Sequence, residues 1–260
     1  MYILKIAYDG RYSFQKQPHK NTVCDVLMDT LEECNYLNDG RIIYYGGRTD
    51  KGVSALGNFV VVDLKKEPIL SHIYSKLKGK GVWVLGYQEI DEIPAVNYRH
   101  YRYILPNEGH DIELMKKASK KLIGTHSFHN LSRKDKSKER DPIRTIYDIK
   151  LSENEYFITI DIVGKSFLWN MVRRMVSVLS KVGKKEIENW DEYLNKILSK
   201  EHREGVSPAP AEGLILVDAN VSLNYIYDNY VLKRFKEEWK ETWRKSVMTM
   251  GICKTIDATI

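Results

Sequence analysis

Apolar positions in this chain recur with two periods, and the switching between them separates strands from helices. Tyr2–Tyr8 alternates as a half-buried strand does and runs into the turn Asp9-Gly10-Arg11. Thr22-Val23-Cys24-Asp25 has the form of a capping box. Behind it Val23, Val26, Leu27, Leu31 and Cys34 follow helical spacing, and Asn38-Asp39-Gly40 closes the helical region. Strands are predicted over 41–45, 57–64, 82–87 and 98–105. Leu114, Ala118 and Leu122 stand four apart and predict a helix stopped by Gly124. A strand pair is predicted over 144–151 and 156–163. Leu168, Val172, Met175, Leu179 and Val182 stripe a long helix ending at Gly183, with a second helix over 187–198. Pro208 and Pro210 force an irregular connection before a core strand over 214–217. From about Tyr225 the chain reads as a charged helical appendage carrying Trp239 and Trp243.

Strands and helices mix without regular βαβ alternation, which predicts an α+β fold with largely antiparallel pairing. At 260 residues, two packed subdomains are as reasonable as one domain. We divide the chain into 1–105, 106–224 and a tail at 225–260. No run approaches the roughly 20 apolar residues of a membrane span, so no membrane association is expected and the reading is soluble and cytoplasmic. Cys24, Cys34 and Cys253 form no CxxC pair and no metal-ligand spacing. Lys and Arg number 41 against 35 acids, a formal +6 that fits a nucleic-acid partner. Such an excess bears on association and not on fold.

Chemistry concentrates in a few segments. Gly46-Gly47-Arg48-Thr49-Asp50-Lys51-Gly52 sets one cation and one carboxylate between glycines at a strand-to-loop junction. On residue physics alone this is an ordinary glycine turn with an exposed Arg and Asp. If the stripe of the long helix faces the core, Ser166, Asn170, Arg173 and Ser177 line its polar flank. Arg173 then points either into a cleft or into solvent. Alternation puts Tyr101 and Tyr103 on one strand face, an arrangement commoner in cores than in base platforms. Arg133, Lys134, Lys136, Lys138 and Arg140, broken by Asp135 and Glu139, read as a solvated loop able to clamp phosphates. His126 and His129 have no third ligand at metal spacing.

The order of these residues carries more than their types. Gly47-Arg48-Thr49-Asp50-Lys51-Gly52-Val53 resembles the catalytic motif of the tRNA pseudouridine synthase A (TruA) family. Five further segments resemble that family in the same order: Tyr8-Asp9-Gly10 with Phe14, Gln15 and Gln17; Arg99 to Tyr103; Gly124 to Phe128; Ser166 to Met175; and Ala209 to Leu214. Ser54 stands where many members carry His. The resemblance implies the pseudouridine synthase fold, two similar mixed α/β subdomains around a central sheet with a basic cleft. It implies Asp50 as catalytic carboxylate, Arg173 as its partner and Tyr101 stacked on the target base. Arg48 would fill the place of the displaced uridine or steady its backbone, with Thr49 and Tyr103 also at the substrate. The implied partners are the tRNA anticodon stem-loop at uridines 38, 39 or 40 and a second copy in a homodimer, with no cofactor and no metal. Other RNA uridines, or RNA binding without catalysis, are the alternatives.

Overall fold

A computed structural model describes residues 1–15, 21–133 and 141–259. The first half contains β1 (Tyr2–Tyr8), α1 (Val23–Glu33), β2 (Leu37–Tyr45), β3 (Ser54–Leu64), α2 (Leu70–Leu77) and β4 (Val82–Glu89). The second contains β5 (Tyr98–Pro106), α3 (Ile112–Lys120), β6 (Gly124–Ser127), β7 (Ile143–Glu153), β8 (Phe157–Gly164), α4 (Met171–Gly183), α5 (Trp190–Leu198) and β9 (Leu214–Asn220). The short β10 (Ile226–Tyr227) and the long α6 (Asn229–Thr259) follow.

All the strands join one sheet in the order β10-β4-β1-β3-β9-β5-β8-β7-β6, with β2 also paired to β3. Every pairing is antiparallel except β3 with β9, which run parallel through Ser54–Ile215 and Ala55–Leu216. The order β4-β1-β3-β2 in the first half is repeated by β9-β5-β8-β7 in the second. The chain is thus built from two similar α+β units whose sheets fuse at β3 and β9. β5 hydrogen-bonds to β8 and β9, so by pairing it groups with the strands that follow it.

The apolar stripes explain the layers. α4 buries Met171, Val172, Met175, Val176, Val178, Leu179 and Val182, leaving Arg173, Arg174, Ser177, Ser180 and Lys181 on its polar side. These side chains share a core with Leu4, Ile6, Val60, Val62, Ile160 and Ile162 of the sheet. A smaller cluster of Ile3, Phe59, Val61, Ile90, Ala219 and Val221 covers the other face of the central strands. β3 is therefore buried on both sides, which accounts for its run of three valines. α6 packs Phe235 and Trp239 against Trp83, while Trp243, Met248 and Ile252 further along it are exposed.

The departures from expectation are local. The Thr22 capping box forms, with the Asp25 N–H donating to Thr22 Oγ1 at 3.2 Å and the Thr22 N–H to Asp25 Oδ2 at 3.1 Å. The helix then ends at Glu33 and not near Asn38, because Asn35 turns left-handed at φ 55° and β2 has begun by Leu37. α4 starts at Met171, three residues after Leu168, because Asn170 sits at φ 61°. The short elements α2 and β6 lie in stretches for which no helix or strand was expected.

Candidate active site

The β2–β3 loop carries Arg48, Thr49 and Asp50, and a buried polar network fixes its path. Asn58, 0% exposed, accepts the Gly47 N–H at 3.0 Å and the Phe59 N–H at 2.9 Å through Oδ1. Its Nδ2 donates to the Gly47 carbonyl at 2.8 Å and to the Tyr8 hydroxyl at 3.0 Å. Tyr8 in turn pairs with Thr49 Oγ1 at 2.9 Å. Burial drives the Tyr8 phenol far above its ordinary range, so it stays a neutral donor. The Phe14 N–H donates to the Thr49 carbonyl at 3.0 Å and the Val53 N–H to the Asp50 carbonyl at 3.2 Å. Gly10 and Gly52 meet where the loop crosses the end of β1. The Gly52 N–H donates to the Gly10 carbonyl at 2.8 Å, and both residues have positive φ (80° and 97°). A Cβ on Gly10 would lie 2.6 Å from the Gly52 oxygen, so this close approach requires a glycine at position 10.

The second half builds the facing wall. The left-handed Asn170 separates 166–169 from the first turn of α4, which lets Trp169 and Arg173 reach Asp50 from one side. Trp169 Nε1 donates to Asp50 Oδ1 at 3.1 Å, and Arg173 Nη1 donates to Oδ2 at 3.4 Å. Arg173 Nε is held by the Ala209 carbonyl at 2.7 Å, while the Ala209 N–H returns a bond to the Arg173 carbonyl at 3.0 Å. The irregular Pro-Ala-Pro connection therefore aims the guanidinium. The Arg133 guanidinium lies 4.3 Å from the centroid of the Trp169 ring, over its face. Tyr101, 7% exposed, packs edge-on against Phe167 with ring centroids 5.1 Å apart. Burial pushes its phenol up to about 12, with Arg99 pulling less strongly downward and Asp50 adding a smaller push upward.

These walls enclose a cleft of about 520 Å³, lined among the described residues by Arg48, Arg99, Arg144 and Arg173 around a single acid, Asp50. The Asp50 side chain is 39% exposed and that of Arg173 15%. An accessible carboxylate gripped by a shielded guanidinium can act as nucleophile or as base.

The site residues expected from sequence fall in three places. Asp50, Arg173 and Tyr101 converge on the cleft. Arg48 stands on its rim, donating to Gln15 Oε1 at 3.2 Å, and Thr49 turns inward to Tyr8. Tyr103, 2% exposed, does not line the cleft; its hydroxyl donates to the Pro210 carbonyl at 3.0 Å, under the strand seam. His126 bonds the Ile123 carbonyl and His129 the His202 carbonyl. Among the described residues no group of three His, Cys, Asp or Glu could hold a metal. Gln17 and the basic loop residues Lys134, Lys136, Lys138 and Arg140 lie outside the described residues. Sequence reasoning assigned no role to Asn58 or Trp169. Each carried a signal: an amide at a core-facing strand position, and a Trp four residues before Arg173 on the polar flank.

A sequence profile for tRNA pseudouridine synthase matches residues 118–220. The tRNA pseudouridine synthase A of Methanocaldococcus jannaschii is 65% identical over 258 residues, covering 98% of each chain. The chain belongs to the tRNA pseudouridine synthase A family. Members from Methanococcus maripaludis, at 56% identity over 98% of each chain, and Pyrococcus furiosus, at 36% over 93% of this chain and 91% of that one, extend the likeness. These full-length matches take in the Asp50 loop as well as the stretch covered by the profile. Among the described residues no helix is long and apolar enough to cross a membrane.

Proposed function

We propose that this tRNA pseudouridine synthase A family member isomerises uridine to pseudouridine at position 38, 39 or 40 of the anticodon arm, using Asp50 as the reacting carboxylate. The observation that supports this reading is an acid that stands alone, among the described residues, in an arginine-lined cleft, with one oxygen on Arg173 and the other on Trp169. The reaction breaks the N1–C1′ bond of uridine, turns the uracil and rejoins it to C1′ through C5, which then loses its proton while N1 gains one. The carboxylate either attacks C1′ or removes the C2′ proton, and is released when the new bond forms. Arg173 gives it a charged donor and fixes its direction. Tyr101 offers a ring face to the detached base, and Arg48 fills the place of the displaced uridine or steadies its backbone.

A uridine in a stem must leave its stack, at a cost of a few kcal/mol. Binding of phosphates to the basic rim offsets that cost. Arg133, Arg173 and Arg174 lie close enough that burial first, then the neighbouring guanidiniums, lower the pKa of Arg174. Such crowding suits a polyanion. We further place the enzyme in the cytoplasm as a homodimer, with 1–105 presenting the carboxylate, 106–224 the facing wall and 225–260 an appendage.

The test is to incubate the pure protein with unmodified tRNA and map pseudouridine by carbodiimide adducts. New adducts are expected at positions 38–40. Adducts confined to other positions would overturn the site assignment, and none at any uridine would overturn the activity.

A further inference from the structure

We infer that Trp169 is a positioning residue for Asp50, holding the carboxylate plane through its indole N–H. The inference rests on the reading of Asp50 as the reacting group. A carboxylate held at one oxygen can still swing about its Cβ–Cγ bond, and the Arg173 contact is a single one of 3.4 Å. Arg173 does not grip the carboxylate as a fork: its Nε is committed to the Ala209 carbonyl, and its Nη1 alone reaches Asp50. The donor on the second oxygen is Trp169 Nε1, at 3.1 Å. Together the two donors fix both oxygens.

The choice of Trp has a chemical logic. Its N–H donates but cannot accept, and it does not ionise in the working range of pH, so it never takes the proton that Asp50 handles. The side chain is 44% exposed, yet it is tied at two points. Arg133 covers its ring face at 4.3 Å, and the Arg133 N–H donates to the Trp169 carbonyl at 2.9 Å. The left-handed backbone at Asn170 directs the indole toward the loop instead of continuing it into α4. Apart from Trp169, the charged and titratable groups that line the cleft with Asp50 among the described residues are Arg48 on its own loop, Tyr44 and Tyr45 on β2, Arg99 and Tyr101 on β5, Arg144 on β7 and Arg173 on α4. A substitution at 169 alters none of them.

Two variants separate the N–H from the ring. Trp169→Phe keeps an aromatic face for Arg133 and loses the donor. Site-specific replacement of Trp169 by benzothienylalanine keeps the indole shape with sulfur in place of N–H, and carries the test if the Phe variant folds poorly. Single-turnover conversion of saturating tRNA should slow by about 10-fold or more in both, as for a lost bond to a charged group, with KM for tRNA within about twofold. Loss through KM with the rate unchanged would make Trp169 a contact for RNA and overturn the inference. Wild-type behaviour of the benzothienyl protein would overturn it as well. Asp50→Asn, run alongside, tells the two levels apart. Activity in that variant removes the underlying reading, whereas its inactivity beside a fully active Trp169→Phe removes the positioning role alone.

Discussion

Asp50 and Arg173 lie 123 positions apart, and their pairing at the cleft depends on one guanidinium that also serves the Ala209 carbonyl and Asn170 Oδ1. Arg173→Lys offers a single ammonium where the site uses a fork, so it must abandon either Asp50 or the Ala209 carbonyl. Turnover should fall roughly 100-fold with the charge retained, the scale of a misplacement near 1 Å, as read by single-turnover assay. Retention of most activity would show that charge alone suffices. At Tyr101 the ring is the working part. With its phenol pushed up to about 12, it remains protonated and is no base near neutral pH. Tyr101→Phe should therefore stay within about tenfold of wild type while Tyr101→Ala loses the stacking of a base, about 1–3 kcal/mol. A Phe variant as damaged as Ala would assign the chemistry to the hydroxyl. At this scale the sequence was readable where residue order matched a motif, as with Asp50, Arg173 and Tyr101. Trp169 escaped because a continuous helix from Leu168 hides the left-handed step at Asn170, which alone turns the indole to Asp50.

The element on which the site depends most is the 46–53 loop, shaped by hydrogen bonds from outside itself. Asn58→Ala would strand the Gly47 and Phe59 N–H groups and the Gly47 carbonyl in a dry interior. The expected loss is about 3 kcal/mol or more in urea melts, together with activity, since the loop loses its anchor. A neutral melt would show that other bonds hold the loop. Gly52→Ala meets a second obstacle: φ is +97°, and the added carbon would lie 2.7 Å from Ala211 Cβ in the facing segment. Strands with strong alternation or unbroken apolar runs, such as β1, β3 and β8, were legible to within a few residues. α2 was not, being only two turns long and capped by no side chain. β2 was foreseen only from Arg41, because Asn38, Asp39 and Gly40 read as a turn although they lie within the strand.

In the whole molecule, the cleft exists because two like units share one sheet. Asp50 comes from the first unit, Trp169 and Arg173 from the second, and the parallel β3–β9 contact sets the distance between them. An α+β class with antiparallel pairing could be read from local pattern, but the strand order could not, since β3 meets β9 across most of the chain. The fold also has an alkaline limit. Tyr74 and Tyr101, chiefly by burial, and Tyr87, chiefly by its bond to Glu67, are each pushed up from 10.0 to about 12. Above the unfolded value the unfolded chain binds fewer protons than the native one. Their contribution is therefore complete below pH 10 and is lost as pH rises through about 12. Urea midpoints should fall over that window, and a flat profile would contradict the burial of these phenols. The most direct test of the central claim is tritium release from tRNA labelled at uridine C5, comparing wild type with Asp50→Asn at matched tRNA binding. Release by the wild type and none by a variant that still binds is the predicted result; release by both would mean that the chemistry does not belong to this carboxylate.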